Sequence, residues 1–163
     1  MSQELILKTL DSLNIKYATV MHPPAITAAD AKQYLEPDAY ICKNLFLTDS
    51  KTGKYYLVVF PEHKKAHSNT IRKQVKASRL MFGSEEDLMQ LLGVTPGSVS
   101  PLGIIYDKEK KITILLDEDL PKCKKVCFHP NINTCTLTLD YSDFEQFLKR
   151  SENEYRYICV NNE

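Results

Sequence analysis

The sequence lacks the features of an exported or membrane-embedded chain. Its N-terminal stretch has neither a basic region nor a long apolar run, so no secretory signal is expected. No stretch approaches the roughly 18 apolar residues that a membrane helix needs. The five cysteines are an odd number without an export signal, which favours reduced thiols in a cytosol. We therefore expect a cytoplasmic location and no membrane partner.

Signatures of several common chemistries are also missing. There is no GxSxG nucleophile elbow and no phosphate-binding P-loop. We find no internal repeat, no linker and no low-complexity tract. With 163 residues, 43% of them apolar and 26% charged, the composition is that of a globular chain with one ordinary core. The expectation is a single domain over residues 1–163.

Charge is balanced over the whole chain but not along it. The formal net charge is zero, so no overall attraction to nucleic acid is expected. Residues 63–79 (HKKAHSNTIRKQVKASR), however, contain six lysines or arginines and no acid. A local basic face is what a tRNA partner needs, because phosphate neutralisation supplies most nonspecific affinity. The alternative interpretation is a solvated helix face.

Hydrophobic periodicity indicates hairpins mixed with helices. Residues 40–48 and 54–60 flank a Lys-Thr-Gly turn and form the clearest hairpin, and residues 103–106 and 111–116 predict a second one. The basic segment predicts a helix from Ser68 with Ile71 facing inward. Strands and helices do not alternate strictly. The expected fold class is therefore α+β, a mixed, mostly antiparallel sheet with helices packed on it.

A charged residue and an amide interrupt the first strand of the clear hairpin. Lys43 and Asn44 lie in an otherwise apolar run, and a buried lysine is costly unless it is paired or lines a site. Strand alternation places them on opposite faces, so both line one pocket only near a strand end or a bulge. The alternative is an edge strand with a solvated lysine.

Two further segments are candidates for ligand contacts. Residues 93–103 (GVTPGSVSPLG) hold three glycines and two prolines, which shape a loop that can present backbone groups to a ligand. A plain helix-to-strand connection is the alternative. His129 precedes a proline at a strand end, where it can hydrogen-bond a ligand or be satisfied by local backbone.

Cysteine spacing raises the question of zinc. The set Cys123, Cys127, His129 and Cys135 has the spacing C-x3-C-x-H-x5-C. Zinc knuckles usually present C-x2-C turns with nearby glycine, and this segment has none. Cysteines acting as small core residues are favoured, and we predict no bound metal.

These signals together resemble one family. The segments HPPAITAADA, CKNLFLTD, KYYLVVF, RLMFGSEEDLMQLLGVTPGSVSPLGII and VCFHPNINTCTLTL are similar to the YbaK and prolyl-tRNA synthetase editing-domain superfamily. Within it they are most similar to the free-standing ProXp-ala (PrdX-like) branch. The resemblance covers roughly residues 3–150.

The resemblance implies hydrolysis of mischarged alanine from proline tRNA, with no cofactor. It implies catalytic roles for Lys43, Asn44 and His129, and substrate binding by an editing loop made of Gly97, Ser98, Val99, Ser100 and Pro101. Leu45 and Phe46 are expected as pocket walls. Implied tRNA contacts are Lys64, Lys65, Arg72, Lys73 and Lys76. Cys42 departs from the family, which commonly has threonine there.

The implied partners are the acceptor end of proline tRNA and prolyl-tRNA synthetase. Alternatives within the class are cysteinyl or seryl esters, since pocket dimensions decide specificity. A catalytically silent tRNA- or amino-acid-binding accessory protein is a further alternative. The intact lysine, asparagine and GSVSP loop argue against silence.

Overall fold

The computed structural model describes residues 3–24, 35, 38–128 and 134–161. Within these ranges the helices are α1 (Gln3–Ser12), α2 (Ser68–Val75), α3 (Glu85–Leu92) and α4 (Tyr141–Ser151). Short 3₁₀ helices occupy Pro96–Ser98, Pro101–Tyr106 and Leu120–Lys122. The strands are β1 (Tyr17–Met21), β2 (Ala39–Asp49), β3 (Tyr55–Pro61), β4 (Leu80–Phe82), β5 (Ile112–Asp117), β6 (Lys125–Phe128), β7 (Cys135–Asp140) and β8 (Tyr155–Ile158).

The strands form one mixed sheet in the order β1-β7-β6-β2-β3-β5-β8, with β4 pairing on β2. The pairs β1–β7, β6–β7, β2–β3 and β2–β4 are antiparallel. The pairs β2–β6, β3–β5 and β5–β8 are parallel. The predicted α+β fold with a mixed, mostly antiparallel sheet is confirmed, as is the β2–β3 hairpin. No helix in the described ranges is long and apolar enough to cross a membrane.

Both faces of the sheet are covered, because β2, β3 and β5 alternate their apolar side chains between two clusters. The large core includes Phe46 and Leu57 and is closed by residues of α1, α3 and α4. The small core, on the opposite face, includes Leu47 and Val58 and is closed by Ile71 of α2. A strand buried on both faces is continuously apolar, as the sequence of β3 is.

Asp49, the last residue of β2, holds the segment between α2 and β4. Its carboxylate accepts hydrogen bonds from the backbone N–H groups of Ser78 (3.0 Å), Arg79 (3.2 Å) and Lys51 (3.0 Å). The N–H of Ser78, then those of Lys51 and Arg79, outweigh burial and lower the pKa of Asp49 to about 2. This carboxylate therefore fixes where β4 begins along β2.

The predicted second hairpin, residues 103–106 with 111–116, is wrong. Pro101–Tyr106 forms a 3₁₀ helix, and β5 pairs in parallel with β3 and β8. Ser100 begins the helix, since its hydroxyl accepts from the N–H of Leu102 at 3.2 Å and a proline follows with a preset φ. The apolar residues 102–104 are buried by this helix rather than by a strand partner.

Candidate active site

Lys43 and Asn44 lie on opposite faces of the sheet. The β2–β3 register is continuous from Cys42↔Pro61 to Thr48↔Tyr55, so no bulge reorients either side chain. Lys43 is exposed on the small-core face, whereas Asn44 is half-buried on the large-core face. A common site for the two residues must therefore lie at the edge of β2, where both faces meet.

Such an edge exists beside Asn44. On the side of β2 away from β3, pairing with β6 ends at Ile41 and pairing with β4 begins at Leu47. Between those two positions, no strand of the described residues pairs with this edge of β2. We call this unpaired stretch of β2 the edge gap. At its β4 end, the carbonyl of Phe46 accepts from the N–H of Gly83 at 3.0 Å.

The backbone of Asn44 faces the edge gap. The carbonyl of Ile41 accepts from the N–H of Glu62, on the β3 side, whereas the carbonyl of Phe46 points to the opposite side. Carbonyl directions alternate along a strand, so the N–H and C=O of Asn44 point the same way as those of Phe46. At Asn44 the edge gap thus offers a peptide donor and a peptide acceptor, with Lys43 and Asn44 flanking it from the two faces.

The Asn44 side chain ties the editing loop to β2 and leaves one atom without a partner. Its Nδ2 donates to the carbonyl of Val99 at 3.2 Å. If the amide were flipped, Oδ1 would face the Val99 carbonyl oxygen, and the two acceptors would repel each other. Its Oδ1 is buried and has no hydrogen-bond partner among the described residues. An unsatisfied buried acceptor costs about 1–3 kcal/mol, which makes this oxygen a candidate acceptor for a ligand donor.

The loop presents few of its predicted residues to solvent. Ser98, Ser100 and Pro101 are buried, and the Ser100 hydroxyl is used by the 3₁₀ helix. Gly97 is exposed, and a Cβ added to it would meet no atom within 4 Å. Val99 is half-buried beside Asn44. Of the predicted loop residues, Val99 therefore makes the hydrogen bond to Asn44, and Gly97 is open to solvent.

The two predicted wall residues differ in their surroundings. Leu45 is half-buried on the Lys43 face, packed against the small core. Phe46 is 5% exposed in the large core, where its ring stacks on Tyr55 with centroids 5.6 Å apart. Any side chain at Gly83 would collide with the Phe46 ring. Phe46 thus supports the edge gap from inside the core instead of lining an open pocket.

His129 and residues 25–34 lie outside the described residues. Strand β6 ends at Phe128, and its parallel pairing with β2 reaches Cys127↔Ile41, next to the edge gap. A histidine that sequence reasoning did not single out, His22, is buried at the end of β1. Its ring nitrogens lie 2.6 Å from the Thr136 hydroxyl and 2.7 Å from the Pro23 carbonyl. The sequence feature that could have drawn attention to His22 is the His-Pro-Pro segment that follows β1.

Lys64 differs from the other predicted tRNA contacts because its ammonium group is held in ion pairs. Its ammonium lies 2.7 Å from Asp117 and 2.6 Å from Asp119, and its side chain is 9% exposed. Burial opposes its charge, but hydrogen bonds to the two carboxylates outweigh that effect and raise the pKa of Lys64. Lys64 therefore fastens the segment after β3 to the end of β5, and we do not include it in a tRNA surface.

The remaining cations are grouped around α2. This helix packs on the small core through Ile71, which puts it on the same side of the sheet as Lys43. Lys65, Lys73 and Lys76 are exposed and Arg72 is half-buried. In the described part of the chain, no carboxylate forms an ion pair with these four residues. Arg72, Lys73 and Lys76, on α2 or at its C-terminal cap, thus form a cationic surface that attracts phosphate, and Lys65 precedes the helix in the chain.

The cysteines behave as core residues. None of the five cysteines, all of which lie among the described residues, forms a disulfide, and Cys42, Cys123, Cys127 and Cys135 are buried. Burial, and next the neighbouring Cys127 and Cys123, raise the pKa of Cys42 well above its usual range. Among the described residues, no group of three or more His, Cys, Asp or Glu side chains could hold a metal ion. The absence of a metal stays a prediction, since His129 lies outside these residues.

Comparison with known proteins identifies the family. The model of the aminoacyl-tRNA editing domain matches residues 22–147 of this chain. The chain belongs to this family. The prolyl-tRNA editing protein ProX of Acetoanaerobium sticklandii is 33% identical over 158 residues, covering 96% of each chain. The prolyl-tRNA synthetase associated domain-containing protein 1 of Bos taurus is 30% identical over 147 residues, covering 87% of this chain and 85% of that protein.

The fold of this editing domain is shared with a solved structure of a candidate trans-editing enzyme for prolyl tRNA synthetase. The two chains superpose with a TM-score of 0.72 at 18% identity, covering 99% of each chain. The chain is therefore an aminoacyl-tRNA editing enzyme, an ester hydrolase whose substrate is charged tRNA.

Proposed function

We propose that this editing domain acts in trans, in the cytosol, on alanine wrongly attached to proline tRNA, and that the edge gap is its active site. The observation that carries the proposal is the buried Oδ1 of Asn44, which has no hydrogen-bond partner among the described residues and lies beside the Val99 carbonyl. The relatives named for prolyl-tRNA editing support the choice of tRNA. Prolyl-tRNA synthetase as a partner and one domain over residues 1–163 belong to the same proposal.

The chemistry that this site must supply is limited. An aminoacyl ester is already activated, so the enzyme needs to position water, stabilise the tetrahedral oxyanion and hold the acceptor end. In this proposal the Lys43 ammonium neutralises the developing negative charge or an adjacent phosphate. The N–H of Asn44 at the edge gap donates to the same oxyanion. The ribose hydroxyl next to the ester assists in this reaction.

The Asn44 side chain recognises the amino acid. A substrate α-ammonium carries the donors that the Oδ1 atom lacks, and a charge-assisted hydrogen bond there is worth about 1.5–3 kcal/mol. The Val99 carbonyl has a second lone pair for the same group. This pair of acceptors orients the ester over the edge gap, within reach of Lys43.

Specificity for alanine over proline follows from size. A synthetase pocket built for proline rejects the smaller alanine by only about 1–3 kcal/mol, so a second site that rejects proline by clash corrects the error. Of the residues expected as walls, Leu45 and Val99 are half-buried at the edge gap and suit this role. Phe46 and Pro101 are buried and fix the backbone behind them. Packed interiors yield little, so rejection by these walls is steep.

The test compares alanyl-, seryl-, cysteinyl- and prolyl-esters on proline tRNA in single-turnover assays. We expect alanine to be released fastest and proline to be spared, and Val99→Ala to narrow that difference. Faster loss of serine or cysteine, or comparable loss of proline, refutes the alanine specificity. Lys43→Ala should lower the rate on the order of 10²-fold or more with an unchanged circular dichroism spectrum. Lys54→Ala, an exposed lysine in the hairpin turn, is the matched control.

A further inference from the structure

Strand β4 carries an aromatic ring that the proposed chemistry does not use. Phe82 is 75% exposed, more than any other large apolar residue among those described as exposed. It stands opposite Leu47 in the antiparallel β2–β4 register. Directly opposed residues project to the same face, so the ring lies on the small-core face, on the same side as Lys43.

The backbone on both sides of Phe82 is fixed. Leu80, two residues earlier, pairs with Asp49 and packs against the small core. Gly83, the next residue, donates its N–H to the Phe46 carbonyl at 3.0 Å, and the Phe46 ring leaves no room for a side chain there. The exposure of Phe82 therefore belongs to a rigid strand and does not come from a loose chain segment.

The distance between Phe82 and Lys43 matches the length of a nucleotide whose base contacts Phe82 and whose ester lies at Lys43. Along β2, Leu47 lies four residues from Lys43, about 13 Å at strand spacing, and Phe82 lies one strand further, about 5 Å away. An adenosine with an aminoacyl ester spans a comparable length. The half-buried Leu45 lies between the two positions on the same face.

Cations accompany this ring. Lys73 and Lys76 are exposed and Arg72 is half-buried, on the helix that covers the same face, and β4 follows that helix directly in the chain. Exposed aromatic rings next to a basic surface are how proteins hold single-stranded nucleic acid without reading its sequence. The acceptor end of tRNA is single-stranded and ends in an unpaired base.

We propose that Phe82 is a stacking platform for the terminal nucleobase of the tRNA acceptor end. The platform rests on the proposed function of the edge gap, since it sets the distance from the base to the ester. Because β4 has three residues, its edge offers little backbone for a partner strand to pair with. The ring, rather than the strand backbone, is the recognition element.

The kinetic test uses two substrates and a matched control. Phe82→Ala should lower kcat/KM on alanyl-tRNA on the order of tenfold to a hundredfold. It should leave hydrolysis of alanyl-ribose, an ester that keeps the neighbouring hydroxyl but has no base, unchanged. Phe82→Trp should restore activity on alanyl-tRNA. Met81→Ala, which truncates another exposed side chain, on the opposite face of the same strand, should behave like the unmodified protein. Equal losses for Phe82→Ala and Met81→Ala, or none for Phe82→Ala, overturn the platform.

A binding measurement separates the platform from the chemistry. An uncharged acceptor-stem RNA with 2-aminopurine as its terminal base should lose fluorescence when the protein stacks on it, and Phe82→Ala should abolish the quenching. Quenching by a protein without deacylase activity supports the platform and refutes the proposed function. Deacylation with no quenching refutes the platform alone. Self-association that disappears in Phe82→Ala, measured by sedimentation, assigns the ring to a second copy and also refutes it.

Discussion

Replacing Asn44 with leucine separates its hydrogen bond to the Val99 carbonyl from its proposed role in substrate recognition. Leucine has a similar volume but no amide. The variant loses the hydrogen bond to the Val99 carbonyl, which is worth about 0.5–1.5 kcal/mol. It also removes a buried Oδ1 that has no partner among the described residues, which relieves about 1–3 kcal/mol. The opposing effects should leave the free energy of unfolding within about 2 kcal/mol of its starting value.

Activity should respond much more strongly than stability. If Oδ1 accepts from the substrate α-ammonium, the lost charge-assisted bond is worth about 1.5–3 kcal/mol. At 1.36 kcal/mol per factor of ten, the rate on alanyl-tRNA should fall about 10- to 150-fold. Single-turnover deacylation measures this loss, and urea unfolding followed by circular dichroism measures stability.

Asn153 is the matched control, because it too has a buried Oδ1 with no partner among the described residues. Its Nδ2 donates to Asp107 and to the Ile112 carbonyl, both at 2.9 Å, far from the edge gap in the fold. Asn153→Leu gains the same relief at Oδ1 but also loses the hydrogen bond to the Asp107 carboxylate. It should therefore destabilise the protein by about 1.5–3 kcal/mol more than Asn44→Leu and keep full activity per folded molecule. An Asn44→Leu variant with unchanged activity, or one destabilised as much as Asn153→Leu, would refute the recognition role.

Three further predictions follow from charges. Lys64→Met should lower the free energy of unfolding by about 3–5 kcal/mol, because the buried Asp117 loses its counter-charge. The control is Lys65→Met, which changes an exposed lysine and should alter the free energy of unfolding by no more than about 0.5 kcal/mol. Urea unfolding measures both values. Asp49 has a folded pKa of about 2, below its unfolded value, so its ionised form stabilises the protein at neutral pH. That stabilisation should be lost as the pH falls from about 4 to 2, and an Asp49→Asn variant with the same acid unfolding curve would contradict this. Charge reversal at Arg72, Lys73 and Lys76 should weaken tRNA binding across sequences and flatten its salt dependence, by about one counterion per lost phosphate contact. An unchanged slope would place the tRNA surface elsewhere.

The parts of the fold that local sequence specifies were predictable. The β2–β3 hairpin is joined by a short turn in which Gly53 adopts a φ of 75°, and both strands carry their own apolar pattern. The position of β5 was not predictable in this way. Its partners β3 and β8 are distant in sequence, so its apolar residues fitted a local hairpin equally well until the parallel pairing was known.

In the candidate site too, features set by local sequence were predictable, and features set by distant strands were not. Alternation along β2 correctly placed Lys43 and Asn44 on opposite faces, but the edge gap depends on where β6 and β4 stop pairing with β2. Those endpoints are set by residues far away in the chain. Lys64 looked like any other cation of the basic segment until Asp117, 53 residues later, came within 2.7 Å of it.

The pairing of β1 with β7 has a consequence for how the protein is made. Tyr17 pairs with Leu139, so one edge of the sheet joins segments from near the two ends of the chain. A ribosome that adds about 5–20 residues per second needs several seconds to deliver β7 after β1 has appeared. During that time β1 has no partner, and its exposed strand edge is open to association with other chains. We expect this edge to be completed last, and a chaperone that shields β1 to raise the yield of folded protein.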